Sequence, residues 1–170
     1  MLTPAQLATL KADILADPVL AAIPNTSDGA FAIAELYALP ANPDFWVWKT
    51  YCSKAEFVQT TGPEGTNFNW VGNGFITRSA GEQAAWREIF NGEFACNPSL
   101  ANVRQAFADV FSGTGNAAAN RTHLLAVARR KALRIEKLFA TGTGSTASPA
   151  TMVYEGTIDY NTVLAARNLP

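Results

Sequence analysis

Read along the chain, apolar residues first recur at helical spacing. Leu7, Leu10, Ile14 and Leu15 follow Thr3-Pro4, an N-cap residue with Pro at the first helical position, and the pattern stops at Asp17-Pro18, so a helix is predicted over about 4–16. A second segment opens at Ser27-Asp28-Gly29 and is apolar nearly all round at Phe31, Ile33, Ala34, Leu36 and Tyr37, until Pro40 and Pro43 close it. A helix that is apolar on every side is expected to be buried.

From Asp44 to Thr77 the pattern changes. Phe45-Trp46-Val47-Trp48 is a dense aromatic run, and Gly62, Pro63, Gly65, Gly72 and Gly74 punctuate the residues after it. We expect an extended or mixed region here, with a short helix near Lys54 to Thr60 and strand-like pieces around Asn67 to Val71. The aromatic run reads as core, although its composition also fits a stacking platform for bases or sugars.

The second half is more regular. Ser79-Ala80-Gly81-Glu82 matches a capping box and predicts a helix over 80–91, with Trp86, Ile89 and Phe90 on its buried face and Asn91-Gly92 at its end. Asn97-Pro98 reads as another cap, and Leu100, Val103, Phe107, Val110 and Phe111 form a stripe that stops at Ser112-Gly113. After the small-residue connector 113–119, Asn120 is expected to cap a long amphipathic helix from Arg121 to about Ala140. Leu124, Leu125, Val127, Ala128, Ala132, Ile135, Leu138 and Phe139 fall on one side of it, and Arg129, Arg130, Arg134 and Lys137 on the other. Residues 141–149 form a Gly/Ser/Thr-rich linker that is either mobile or ordered by a neighbour. Thr151 to Gly156 then reads as a short strand, and Asp159 begins a last helix through Arg167. The expected architecture is mainly α: a helical body over 1–141, with a C-terminal linker, strand and short helix over 142–170 forming an arm, within the same domain or as an extension of it.

Composition agrees with one folded domain. The 170 residues are 48% hydrophobic and 16% charged, which leaves ample apolar surface to bury. No stretch approaches the length of a membrane span, and Met1-Leu2-Thr3-Pro4 lacks the basic flank and apolar run of a signal peptide, so a protein made in the cytoplasm with no membrane partner is expected. Cys52 and Cys96 are expected as separate buried thiols.

Candidate chemistry is sparse. His123 lies in no nucleophile or metal motif, and neither Gly62 to Gly74 nor Thr141 to Ser145 has the spacing of a phosphate-binding loop. No catalytic, metal or cofactor residue is therefore assigned. Charge is the informative feature: residues 1–120 hold six Lys/Arg against eleven Asp/Glu, whereas 121–137 hold six against one. Such a basic face is either a solvated helix surface or a contact for phosphates, for an acidic protein patch, or for the acidic body of another copy. Arg129, Arg130, Arg134 and Lys137 are its candidate interface residues.

Several stretches resemble small proteins encoded by tailed bacteriophages and prophages. They are Leu2-Thr3-Pro4-Ala5-Gln6-Leu7, Asp44-Phe45-Trp46-Val47-Trp48, Asn97 to Arg104, Arg129 to Ala132, Glu136 to Gly144, Ser148 to Met152 and Tyr154-Glu155-Gly156, and the resemblance extends along most of the chain. It implies a structural virion protein and carries over no catalytic residue. In size and class the chain is similar in outline to head–tail connectors, or adaptors, which form a ring beneath the portal. The partners this implies are copies of itself, the portal protein, a tail or nozzle protein, and non-specific contact with packaged DNA. Met152, Tyr154, Glu155 and Gly156 are then the candidate arm contacts.

Overall fold

The computed structural model describes residues 1–90 and 94–170, and the predicted helix end at Asn91-Gly92 lies outside them. The fold is mainly α, as expected. The helices are α1 (Pro4–Ala16), α2 (Pro18–Ala21), α3 (Ser27–Ala38), α4 (Lys54–Gln59), α5 (Ala80–Glu88), α6 (Ala101–Val110), α7 (Asn116–Val127), α8 (Arg134–Phe139) and α9 (Tyr160–Arg167). The short strands are β1 (Trp46–Trp48), β2 (Cys52–Ser53), β3 (Ala95–Cys96) and β4 (Arg129–Lys131), with β1 beside β4 and β2 antiparallel to β3.

The chain divides into two compact units, Met1–Val47 with Lys131–Pro170, and Trp48–Arg130. In the first, α1 starts as predicted: Thr3 and Gln6 form a reciprocal capping box. Asp17 ends α1, and its carboxylate accepts the Val19 N–H at 2.8 Å to start α2. α9 packs against α1 and α3, with Val163 and Ala166 buried among Leu10, Ile14, Ile33, Tyr37 and Ile135. Residues 142–170 therefore do not stand out as an arm, because α9 supplies part of the core that α1 and α3 need. Nor do 151–156 form a strand: Thr151 makes a single bridge with Thr141, and the rest is turn and loop.

The second unit has an aromatic core. Trp86 of α5 stacks on Phe68 at 5.7 Å between ring centroids and meets Phe90 and Phe111 edge-on at 4.9 and 5.2 Å. Phe57 of α4 meets Phe107 of α6 edge-on at 5.3 Å. Capping boxes at Ser53/Glu56 and Ser79/Glu82 start α4 and α5. The Asn97 side chain closes a turn by accepting the Ser99 N–H at 3.0 Å, so α6 starts three residues after Pro98. The strand-like pieces expected at 67–71 are loop, since their backbone groups are met by side chains of α7.

The predicted helix 121–140 is three elements. α7 begins at Asn116, before Asn120, and ends at Val127; β4 and α8 come next. The break has a local cause: the Ala128 carbonyl accepts the Lys49 N–H at 2.8 Å, and the Ala132 N–H donates to the Phe45 carbonyl at 2.8 Å. These bonds hold 129–131 as a strand, and Glu136 accepts the Leu133 N–H at 2.8 Å to restart the helix.

Candidate interaction surfaces

The basic residues that the sequence aligns on one helix face do not lie on one helix. Arg129 and Arg130 lie half-buried on β4, and the Arg129 Nη2 donates to Glu64 Oε1 at 2.8 Å. Arg134 and Lys137 lie on α8. Arg134 Nη2 donates to Asp17 at 2.8 Å, sits 3.5 Å from Asp13, and its guanidinium lies 4.8 Å from the Tyr37 ring centroid. The Arg134 hydrogen bond, followed by the Val19 N–H, holds the Asp17 carboxyl below its ordinary value. Lys137 lies 5.8 Å over the Phe45 ring.

Arg134 and Lys137 share a cavity of about 660 Å³ with Asp13 and Asp17, beside Leu39 and Pro40. Two cations facing two carboxylates are a charge-balanced pocket rather than a basic patch. Of the expected interface residues, Arg134 and Lys137 share this pocket on α8, while Arg129 and Arg130 lie on β4.

The arm candidates are used inside the first unit. Met152 packs on the buried Val47, Ala132 and Ala150. Tyr154 meets Phe139 edge-on at 5.9 Å and donates to the Thr157 carbonyl at 2.6 Å. The Gly156 N–H donates to the buried Glu136 Oε1 at 3.0 Å, and Glu155 is exposed.

The groups with catalytic potential serve the packing of the second unit. His123 is buried, with Nε2 2.7 Å from the Phe57 carbonyl. A carbonyl only accepts, so Nε2 carries a proton and donates to it, and Nδ1 lies 3.1 Å from the Thr66 hydroxyl. Cys52 and Cys96 are buried, free thiols as expected, and they are direct partners across β2 and β3. Burial pushes both thiols up to about 12.

The surfaces open to a partner are apolar. α3 buries Ala30, Ile33, Ala34 and Tyr37 but leaves Phe31 57% and, at its C-terminal end, Leu39 54% exposed, so the expectation that this helix is buried all round holds for one side only. Its outer side is an open surface formed by Ala32, Leu36, Ala38 and Leu39 around Glu35.

In the second unit, the loop 69–77 turns tightly: the Ile76 N–H donates to the Trp70 carbonyl at 3.2 Å and the Thr77 N–H to the Gly72 carbonyl at 3.0 Å. Its tip exposes Trp70 by 42%, Val71 by 68% and Ile76 by 67%. Trp70 is braced edge-on by Phe68 and Phe75 at 4.7 and 5.1 Å.

Asparagine side chains fix this loop. Asn120 accepts the Asn69 N–H at 2.7 Å and donates to the Asn69 and Gly74 carbonyls at 2.9 Å each. Asn116 donates to the Val71 carbonyl at 3.0 Å, Asn73 to the Thr114 carbonyl at 2.8 Å, and Asn69 Oδ1 accepts the Val71 N–H at 2.8 Å. The sequence marks 62–74 as Gly-rich loop, but no spacing rule links it to Asn116 and Asn120, far along the chain.

The chain has no match among protein-family models, curated proteins or solved structures. Among the described residues no group of three or more His, Cys, Asp or Glu is placed to hold a metal ion, and no helix is long and apolar enough to cross a membrane.

Proposed function

We propose that this protein is a structural component of a tailed-bacteriophage particle, specifically a head–tail connector that assembles as a ring beneath the portal and joins head to tail. The observation that carries this reading is the outer side of α3, where Phe31 and Leu39 are exposed on either side of Glu35: a largely apolar helix with one side uncovered suits a subunit that is completed by assembly. The second support is the clamped loop 69–77, which displays Trp70, Val71 and Ile76 without a charged residue in it. Side chains held in place before association lose little entropy on binding, which suits a fixed architectural joint.

The reading differs in its contacts from the one the sequence invites. The basic residues of 121–137 do not lie along one helix, since the segment is divided among α7, β4 and α8. The competing reading is a head decoration or tail component, followed by a DNA-binding regulator that uses residues 121–137. Absolute quantification by mass spectrometry in purified particles tests the proposal. A count of about a dozen copies, matching a portal-type ring, supports it. Hundreds of copies replace it with a decoration or tail component, and absence from particles overturns it.

A further inference from the structure

We infer that Cys52 and Cys96 are a redox pair: a small disulfide oxidises them to an intramolecular disulfide that staples β2 to β3 and closes the segment between them. The pair lies wholly within the second unit. The virion reading supplies only a setting for it, a chain made among reduced thiols and carried in a particle into an oxidising medium.

Register carries the argument. β2 and β3 run antiparallel with Cys52 opposite Cys96 and Ser53 opposite Ala95, and the Lys54 N–H extends the ladder to the Phe94 carbonyl at 2.7 Å. Directly opposed residues of such a ladder share a face, with Cα atoms about 4.5–5.5 Å apart, inside the span of about 4.4–6.8 Å that a disulfide bridges. Their Cβ atoms stand about 4.5–5.5 Å apart, against about 3.8 Å in a disulfide, so closing the bond draws the strands together by about 1 Å. That is a small displacement for a ladder two residues long. Burial is the main cause that pushes the Cys52 thiol up, and the facing Cys96 adds to it, as expected of neighbouring sulfurs. The sequence holds no third cysteine, so no other intramolecular pairing competes.

With glutathione disulfide as the oxidant the chemistry balances. One protein thiolate attacks the glutathione S–S bond, forming a mixed disulfide and expelling one glutathione thiolate; the facing protein thiolate attacks the protein sulfur of that intermediate and expels the second. The protein loses two electrons and two thiol protons, which leave on two molecules of reduced glutathione. Cys52 is fully buried and Cys96 is 9% exposed, so attack takes place when the short ladder opens or before it closes during folding. The register then presents the second thiol to the mixed disulfide at high effective concentration. The bond encloses the 43 residues between the cysteines, including α4, the loop 69–77 and α5, and removes freedom from the unfolded chain.

The test uses the full chain, first reduced and freed of reductant. One sample is refolded from urea in a glutathione redox buffer, and another is held folded in the same buffer for several days. In both, intact-mass analysis is expected to show chiefly a monomer lighter by two hydrogens, with no thiol left for iodoacetamide in denaturant, and the folded sample is expected to reach it more slowly. The oxidised chain is expected to melt about 5–10 °C above the reduced one and to return on reduction. Cys96→Ala, compared with itself in oxidising and reducing buffer, is expected to show no shift, which separates the bond from other effects of the oxidant. Unreacted thiols, glutathione adducts or disulfide-linked dimers as the main product of either sample overturn the inference, as does an oxidised chain that melts no higher than the reduced one. All of these measurements are made on the isolated chain and leave the copy number in particles untouched, so the virion reading stands or falls separately.

Discussion

The side-chain amide of Asn120 pairs with the backbone of Asn69 in both directions, accepting its N–H at 2.7 Å and donating to its carbonyl at 2.9 Å. It thereby does for the loop what a neighbouring strand does in a sheet, and its second N–H reaches the Gly74 carbonyl at 2.9 Å. A buried amide with three bonds met is stabilising only while all partners stay in place.

Replacing Asn120 by Ala orphans those backbone groups and is expected to cost about 2–4 kcal/mol. Asn120→Asp is expected to cost at least as much, because a carboxylate then faces two carbonyls. Urea unfolding midpoints measure both, and a variant within about 0.5 kcal/mol of wild type contradicts the role given to this amide.

His123 is expected to be structural. His123→Ala removes the donor to the Phe57 carbonyl and leaves a cavity, with a loss of about 3 kcal/mol. Thermal unfolding reads the effect, and an unchanged midpoint shows that neither bond contributes.

Two glycines carry opposite expectations. A Cβ at Gly74 meets the Asn69 carbonyl oxygen at 2.3 Å, so Gly74→Ala must displace the loop and lowers stability. Gly81 lies in α5 with its nearest neighbour, Ser79 Oγ, at 4.0 Å, so Gly81→Ala gains about 0.5–1 kcal/mol from helix propensity. The same sign for both, in matched urea titrations, refutes this assignment.

The Cys52 and Cys96 thiols are pushed up to about 12 by burial and are expected to resist alkylation in the native protein at neutral pH. Intact-mass analysis after iodoacetamide should show no added mass in buffer and two modifications in denaturant. Rapid labelling of the folded chain contradicts the burial of this cross-strand pair.

Acid stability rests on four carboxylates held below their ordinary values, one of them Glu56, whose burial raises it but is outweighed by hydrogen bonds from Ser53 and Lys49. For Asp17 the causes are Arg134 and then the Val19 N–H; for Glu82, the Ser79 N–H and then its hydroxyl; for Asp159, the Thr162 hydroxyl and then its N–H. A lowered folded-state value means that the contribution is complete above the unfolded values of 3.8 and 4.5 and is lost as pH falls through the lower folded ones. The melting temperature is expected to be flat from neutral pH to about pH 5 and to fall below it. A rise on acidification reverses the sign and rejects these bonds as stabilising.

The legible parts of the fold are those with local causes. Thr3 with Gln6, Ser79 with Glu82, and Asp159 with Thr162 are caps that a few neighbouring residues complete, and α1, α5 and α9 begin where those residues place them. The helix 121–140 is misleading because its apolar stripe is real: Leu124, Ala128, Ala132 and Ile135 are all buried. Periodicity records which residues go inward, and a helix–strand–helix path buries the same set once Phe45 and Lys49 supply backbone partners. The outer side of α3 and the loop 69–77 are not legible as surfaces, since apolar residues predict burial and the sequence does not state against what.

By itself the sequence determined the helical class, the caps at Thr3, Ser79 and Asp159, and much of the inward set, because these depend on hydrogen bonds and spacings within a few positions. The tertiary structure decided where α7 ends, that α9 belongs to the core, that Cys52 faces Cys96, and that Trp70, Val71 and Ile76 stand outward on a clamped loop. Each of those outcomes depends on a backbone or side-chain partner far along the chain, such as Asn120 for Asn69, and such pairings form only when folding brings the two segments together.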